Sequence, residues 1–214
     1  MKTLTSFITI APAIVITAFA FSGCREALYP VARAFGSPPE SELAVCREAF
    51  RQLQMHVETS RVQVEPVLFA VDHDRQWRSD VAQAIVAEAG PHTKAKLEVA
   101  AAPDVSFPTE MYHNQLHYLW DRSTEYARWI KAAHPGADYI LCTEVFGHAG
   151  KVAAIQVYIF DARGQVAYCR LFNSHHFGNN LPLEGEGHVR LMVKALFNGL
   201  RKDANVVFPP YGVG

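Results

Sequence analysis

Two histidines at helical spacing are the first residues in this chain whose types and positions could do chemistry. His113 and His117 lie four residues apart in a stretch, 112–133, whose apolar stripe predicts a helix. Both imidazoles then share one helix face and supply half of a zinc site. No glutamate stands between them, although the zinc-protease pattern needs one as its base. Candidate further ligands are Glu110, His148, His175 and His176. The alternative is exposed or interface histidines, which gain charge as the pH falls below about 6.5.

A pair of aspartates follows the first apolar strand. Residues 62–71 are rich in valine and lack a helical period, which predicts a strand with an edge or a bend at Pro66. The next residues, Asp72-His73-Asp74, resemble the Asp-x-Asp motif of haloacid-dehalogenase-type phosphatases, which implies a nucleophile and an acid/base beside Mg²⁺. The following Arg75-Gln76-Trp77 departs from that motif, and no later pair of adjacent acids is present. We therefore expect Asp74 to cap a helix that begins near Arg75.

The N-terminal residues have the pattern of a bacterial lipoprotein. Lys2 precedes an uncharged apolar run that ends at Phe21-Ser22-Gly23-Cys24. This motif resembles a lipobox, with Phe21 where the family most often has leucine. The resemblance implies that residues 1–23 are a signal peptide and that Cys24 carries acyl chains, which together anchor a protein stably. The alternative is a plain N-terminal membrane anchor.

The residues after Cys24 predict how the anchor meets the domain. Residues 24–39 contain Gly36-Ser37-Pro38-Pro39, which indicates a lipidated tether. The residue after the cysteine is Arg25 and not aspartate, so the lipoprotein resemblance favours the outer membrane over the inner membrane.

Composition excludes several classes of protein. Half of the 214 residues are hydrophobic and 19% are charged, which excludes a disordered chain. The 20 basic and 21 acidic residues nearly cancel, and removal of Lys2 with the signal leaves 19 against 21, a net charge of −2. This balance provides no electrostatic surface for nucleic acid. We predict no nucleic-acid partner and no cofactor.

Periodicity predicts one α/β (α+β) domain over residues 40–205, followed by an irregular tail at 206–214. We expect a single mixed sheet that contains an antiparallel three-strand meander at 139–146, 152–160 and 166–174, flanked by about four helices. The middle strand of the meander is apolar on both faces and should be central.

The loop 177–187 contains three glycines and two glutamates, and it is either a functional loop or a plain connection. The helical stripes expected to face the core include Leu43, Cys46, Phe50 and Leu53 in the first helix and Val189, Met192, Val193, Leu196 and Leu200 in the last.

Two cysteines lie on the outer strands of that meander. If the middle strand separates Cys142 from Cys169, they are about 9–10 Å apart, too far for a disulfide, and are buried thiols. If the outer strands pair directly, a disulfide between them becomes feasible.

The order of elements resembles a family of envelope domains. Tyr126-Ala127-Arg128-Trp129, the turn and strand Gly136-Ala137-Asp138-Tyr139-Ile140-Leu141, and the hairpin Asp161-Ala162-Arg163-Gly164 are similar to segments of TolB amino-terminal, CsgG-type and LpoB-like domains. Cys142-Thr143-Glu144 stands where that family usually reaches a glycine. The resemblance implies a domain that binds or scaffolds partners, with a homo-oligomeric ring as a further option and with no catalytic residues to transfer.

These patterns together predict a lipid-anchored protein of the bacterial cell envelope, with its domain facing the periplasm. We expect it to act as a binding or scaffold module for another envelope protein and not as an enzyme, because no catalytic constellation is complete. The alternative is a periplasm-facing metal-binding protein or metal-dependent enzyme that uses His113, His117 and either His175 or His176.

Overall fold

The computed structural model describes residues 40–72, 74–103, 123, 125–130, 136–173 and 180–200. The first helix, α1, runs from Glu40 to His56 and buries the predicted stripe of Cys46, Phe50 and Leu53. The side chain of Leu43, which belongs to the same predicted stripe, lies outside the described residues.

The valine-rich stretch forms two strands that meet at a break. Strand β1 (Arg61–Val64) and strand β2 (Val67–Val71) both lie parallel to β5 (Tyr139–His148) and occupy successive parts of its edge. Pro66 lies in the break, where its missing N–H interrupts no ladder. The preceding backbone N–H, that of Glu65, still donates to the carbonyl of Leu141 at 2.9 Å. The predicted bend at Pro66 is confirmed.

The prediction that Asp74 caps a helix is wrong. Residues Asp74–Arg78 form strand β3, which pairs antiparallel with β2, and helix α2 begins only at Ser79 and ends at Ala89. The residue that precedes the helix, Arg78, makes no side-chain capping bond. Trp77 lies four residues before Val81, a spacing that is compatible with a helix, but it stands opposite Leu68 across the hairpin. Cross-strand pairing therefore outweighs the local helical period.

The meander has the predicted arrangement. Strand β6 (Lys151–Asp161) pairs antiparallel with β5 on one side and with β7 (Val166–Asn173) on the other. Residues 155–160 are all buried, as expected for a central strand. At its far edge the sheet continues through β4 (Lys96–Val99), which lies parallel to β1.

The position of β6 decides the state of the cysteines. Tyr158 on β6 stands opposite Cys142 on one side and opposite Cys169 on the other. Both are buried thiols, as is Cys46, and no disulfide joins the cysteines in the described residues. The disulfide alternative is therefore wrong, because it required β5 and β7 to pair directly.

Helices complete the mixed α/β fold that the sequence predicts. Residues 125–130 form a short helical segment, α3, and α4 (Gly187–Leu200) buries four of the five residues of the predicted last stripe. The described residues from Ser41 onward belong to one compact unit. Among them, no helix combines the length and the apolar character needed to cross a bilayer.

Candidate docking groove

Most residues that the sequence singled out lie outside the described part of the chain. These are Cys24, Glu110, His113, His117, His175 and His176. Their lipidation or metal binding stays a prediction. Within the described ranges, no three histidine, cysteine or acidic side chains are grouped so that they could hold a metal ion.

The one described candidate ligand, His148, belongs to a turn contact. Its Nδ1 lies 2.5 Å from Oδ1 of Asp72, and both side chains are largely exposed. The backbone N–H of Ala149 donates to the other carboxylate oxygen of Asp72 at 3.3 Å. Asp72 and Ala149 both have positive φ angles, 46° and 50°. The Asp72 carboxylate therefore links the β2–β3 turn to the β5–β6 turn. Asp72 and Ala149 both have a backbone conformation that non-glycine residues seldom adopt.

A groove of about 730 Å³ opens beside the β2–β3 hairpin. The hairpin forms one wall, the first two turns of α2 a second, and the segment 183–189 that enters α4 the third. Its apolar surface comes from Phe69, Val71, Val81, Ala84, Leu183 and Val189, and its charged and polar surface from Asp72, Asp74, Gln76, Arg78, Asp80, Glu184, Glu186 and His188. This volume lies within the range of ordinary ligand sites.

The hairpin aims alternate side chains into the groove. Side chains alternate along a strand, so Asp74, Gln76 and Arg78 of β3 share one face. On β2 the residues opposite them include Val71 and Phe69, which also line the groove. In the helix predicted for this segment, Asp74, Gln76 and Arg78 would not all have shared one face.

His188 is the buried polar residue of the groove. It is 3% exposed, and neither ring nitrogen has a hydrogen-bond partner among the described residues. The ring of Phe69 packs edge-on against it at a centroid distance of 5.8 Å. Burial, and then the nearby positive charge of Arg78, lowers the pKa of His188 below its ordinary value. The imidazole is therefore neutral at pH 7 and has one N–H donor and one acceptor nitrogen to offer.

Arg78 is the basic side chain that lines this groove. Its guanidinium donates to both carboxylate oxygens of Asp80 and lies 5.2 Å from the ring centroid of Phe69. The bond from Arg78 lowers the pKa of Asp80 to about 2. Because Arg78 is paired with Asp80, the other four carboxylates give the lining of the groove an excess of negative charge.

A second polar cluster is enclosed in the core. The hydroxyl of Tyr126 on α3 donates to Oε1 of Glu144 on β5 at 3.1 Å, and the hydroxyl of Tyr158 donates to Oε1 of Gln156 at 2.8 Å. All four side chains are at most 3% exposed. This cluster fixes α3 against the sheet, since buried polar groups are stable only when hydrogen-bonded. It offers no opening to a ligand.

Sequence reasoning missed His188 and the groove. His188 stands four residues before Met192 and eight before Leu196, so it occupies the apolar stripe of its own helix. A histidine in such a stripe indicates a core polar residue. That local signal could have found His188, but it does not reveal the Phe69 and Arg78 side chains beside it.

Comparisons with known proteins return distant structural similarities. No family model matches the chain, and no curated protein matches it. The chain is similar to the LpoB C-terminal domain from Salmonella enterica, at 12% identity and a TM-score of 0.33, over 59% of this chain and 92% of that one. It is also similar to a PelC dodecamer from Paraburkholderia phytofirmans, at 14% identity and a TM-score of 0.34, over 65% and 87%.

At these identities and TM-scores, neither match assigns a function to this chain. The lipobox-like residues are not described in the structure, so the lipoprotein assignment stays a prediction.

Proposed function

We propose that this protein is a lipid-anchored component of the bacterial cell envelope that binds another envelope protein through the groove beside the β2–β3 hairpin. The observation that carries the proposal is His188, a buried imidazole that lines the groove and has no protein partner in the described residues. A buried polar group without a partner costs about 1–3 kcal/mol. A ligand that bonds to the imidazole removes that cost upon binding.

The anchor is assigned to Cys24. The Phe21-Ser22-Gly23-Cys24 motif supports cleavage before the cysteine, and residues 24–39 supply a tether. Mass spectrometry of the membrane fraction tests this assignment. We expect an acylated N-terminal Cys24, whereas a mature protein that retains Met1 would refute it. The absence of aspartate after Cys24 supports the outer membrane, and membrane fractionation tests that point separately.

Two glutamines provide a matched test of the docking surface. Gln76 lines the groove and Gln83 lies on the exposed side of α2 outside it. A photoreactive amino acid replaces each in turn in growing cells. We expect Gln76 to crosslink to a specific envelope protein, and we expect Asp74→Asn combined with Glu184→Gln to reduce the yield of that product. Equal products from the two positions would refute docking at the groove.

The metal-dependent alternative depends on residues outside the described ranges. It requires His113, His117 and His175 or His176 to converge. Metal analysis of the purified protein tests it directly. One zinc per chain that is lost on His113→Ala would favour this alternative over the binding-module proposal.

A further inference from the structure

We infer that the groove binds a lysine- or arginine-rich peptide segment of a partner protein, with the carboxylates around its rim holding the cationic side chains and His188 hydrogen-bonding to the peptide backbone. This inference rests on the proposed function and adds the chemical class of the ligand.

The charge of the groove favours a cationic ligand. Five carboxylates line it, and Asp80 is the one paired with Arg78. The Asp72 carboxylate contacts His148, and that of Glu186 lies 3.6 Å from exposed Arg190. Asp74 and Glu184 form no ion pair within the described ranges, and both are exposed. These two carboxylates, on different walls, can each accept charge-assisted hydrogen bonds from a lysine or arginine side chain.

The hydrogen-bonding capacity of His188 favours a peptide over a simple cation. A neutral imidazole offers one donor and one acceptor. An ammonium group or a guanidinium has donors only, so it would leave the N–H of His188 unpaired. A peptide group carries both an N–H and a carbonyl. A basic peptide therefore carries cations for the carboxylates at the rim and both a donor and an acceptor for His188.

The apolar walls suit the stems of long basic side chains. Lysine and arginine bury their methylene chains against apolar surface and keep their charged ends in water. Val71, Ala84 and Leu183, which are partly exposed, provide such a surface in the groove. A short peptide segment is also of the right size for a groove of about 730 Å³.

Calorimetric titration of the full mature chain at pH 7.5 and low salt tests the inference. The probe is tetralysine with an acetylated N-terminus and an amidated C-terminus. Capped tetraglutamate controls for the sign of the charge, and spermine supplies a comparable positive charge without peptide bonds. We expect saturable binding of tetralysine that weakens with added salt, weaker binding of spermine, and no binding of tetraglutamate.

Variants locate the binding. We expect Asp74→Asn combined with Glu184→Gln to weaken tetralysine binding by about tenfold, since each exposed charge pair is worth up to about fivefold in affinity. His188→Leu should weaken tetralysine binding by about fivefold and leave spermine binding unchanged. The control is Glu48→Gln combined with Glu98→Gln, which removes two exposed carboxylates outside the groove. It should reproduce the wild-type affinity.

Three results would overturn the inference. They are the absence of tetralysine binding, equal losses in the groove and control variants, and spermine binding as tight as that of tetralysine. If tetralysine fails to bind while Gln76 still crosslinks to an envelope protein in cells, the ligand class is wrong and the docking function survives. If both tests fail, the docking function fails as well.

Discussion

The hydroxyl of Tyr126 donates a hydrogen bond to a carboxyl oxygen of Glu144, a side chain with no exposed surface. This 3.1 Å bond ties α3 to the central part of the sheet. The ring of Tyr126 also packs against those of Tyr158 and Phe160, at centroid distances of 5.5 and 6.1 Å. One aromatic residue therefore contributes both apolar packing and the donor that a buried carboxyl group needs.

We expect Tyr126→Phe to lower the free energy of unfolding by about 1–3 kcal/mol, because it deprives a buried carboxyl oxygen of this donor. The matched control is Tyr158→Phe, which removes a hydrogen bond to the neutral amide of Gln156. It should cost less, about 0.5–1.5 kcal/mol. Urea denaturation measures both values. A larger loss for Tyr158→Phe than for Tyr126→Phe would show that the hydrogen bond to Glu144 is not the more stabilising of the two.

In the absence of a ligand, His188 should lower the free energy of unfolding. We expect His188→Leu to leave the free energy of unfolding unchanged or to raise it by up to about 3 kcal/mol, because it removes two buried nitrogens that have no partner in the described residues. The substitution also loses the edge-on contact with Phe69, which limits the gain. Urea denaturation at pH 7.5 measures the change. A loss of more than about 1 kcal/mol would show that the imidazole stabilises the fold.

The same residue predicts a dependence of stability on pH. The folded-state pKa of His188 lies below its ordinary value of 6.5, so the unfolded chain binds this proton more readily. Protonation of His188 therefore does not affect the free energy of unfolding well above pH 6.5, and it lowers that free energy as the pH falls from 6.5 through the folded pKa. Asp80, with a pKa of about 2, titrates below this window.

Comparison with His188→Leu isolates this effect. We expect the difference in unfolding free energy between wild type and variant to change between pH 8 and pH 5 in favour of the variant. Urea denaturation at several pH values measures it. A constant difference across that range would show that the folded pKa of His188 is not lowered.

Gly199 accommodates a tyrosine of the sheet. A Cβ atom at this position would lie 2.5 Å from the hydroxyl oxygen of Tyr168 and 3.3 Å from its Cζ. We expect Gly199→Ala to lower the free energy of unfolding by about 1–3 kcal/mol through overpacking, although alanine favours a helix. A double-mutant cycle with Tyr168→Phe supplies the control, since removing the hydroxyl makes room for the methyl group. Additive effects in the cycle would contradict close packing at this contact.

The thiols should be inert in the folded protein. Burial raises the pKa of Cys142 and of Cys169, and Cys46 is also buried. Because the thiolate is the reactive form, we expect iodoacetamide at pH 8 to leave all three unmodified in the native state and to alkylate them in urea. Peptide mass spectrometry assigns the sites. Rapid alkylation of Cys142 or Cys169 in the native protein would refute their placement beside Tyr158.

Local patterns in the sequence were enough to predict the meander and an edge or a bend at Pro66, and they reduced the state of the cysteines to two alternatives. Each of these depends on short-range information. The apolar faces of β6 require a central strand, the missing N–H of Pro66 prevents continuous pairing, and a central strand separates Cys142 from Cys169. Local patterns failed at Trp77, because its four-residue spacing from Val81 is compatible with a helix while its partner, Leu68, is reached only by folding the hairpin.

The sequence by itself determined the class of fold and a hypothesis about the anchor, since periodicity and a terminal motif are local properties. Only the tertiary structure decided the groove. Asp74, Glu184 and His188 come from two distant parts of the chain, and their common surface exists because α4 packs beside α2 and the β2–β3 hairpin. The net charge of such a surface and its unpaired hydrogen-bonding groups depend on which side chains lie next to one another. The spacing of residues along the chain does not reveal those neighbours.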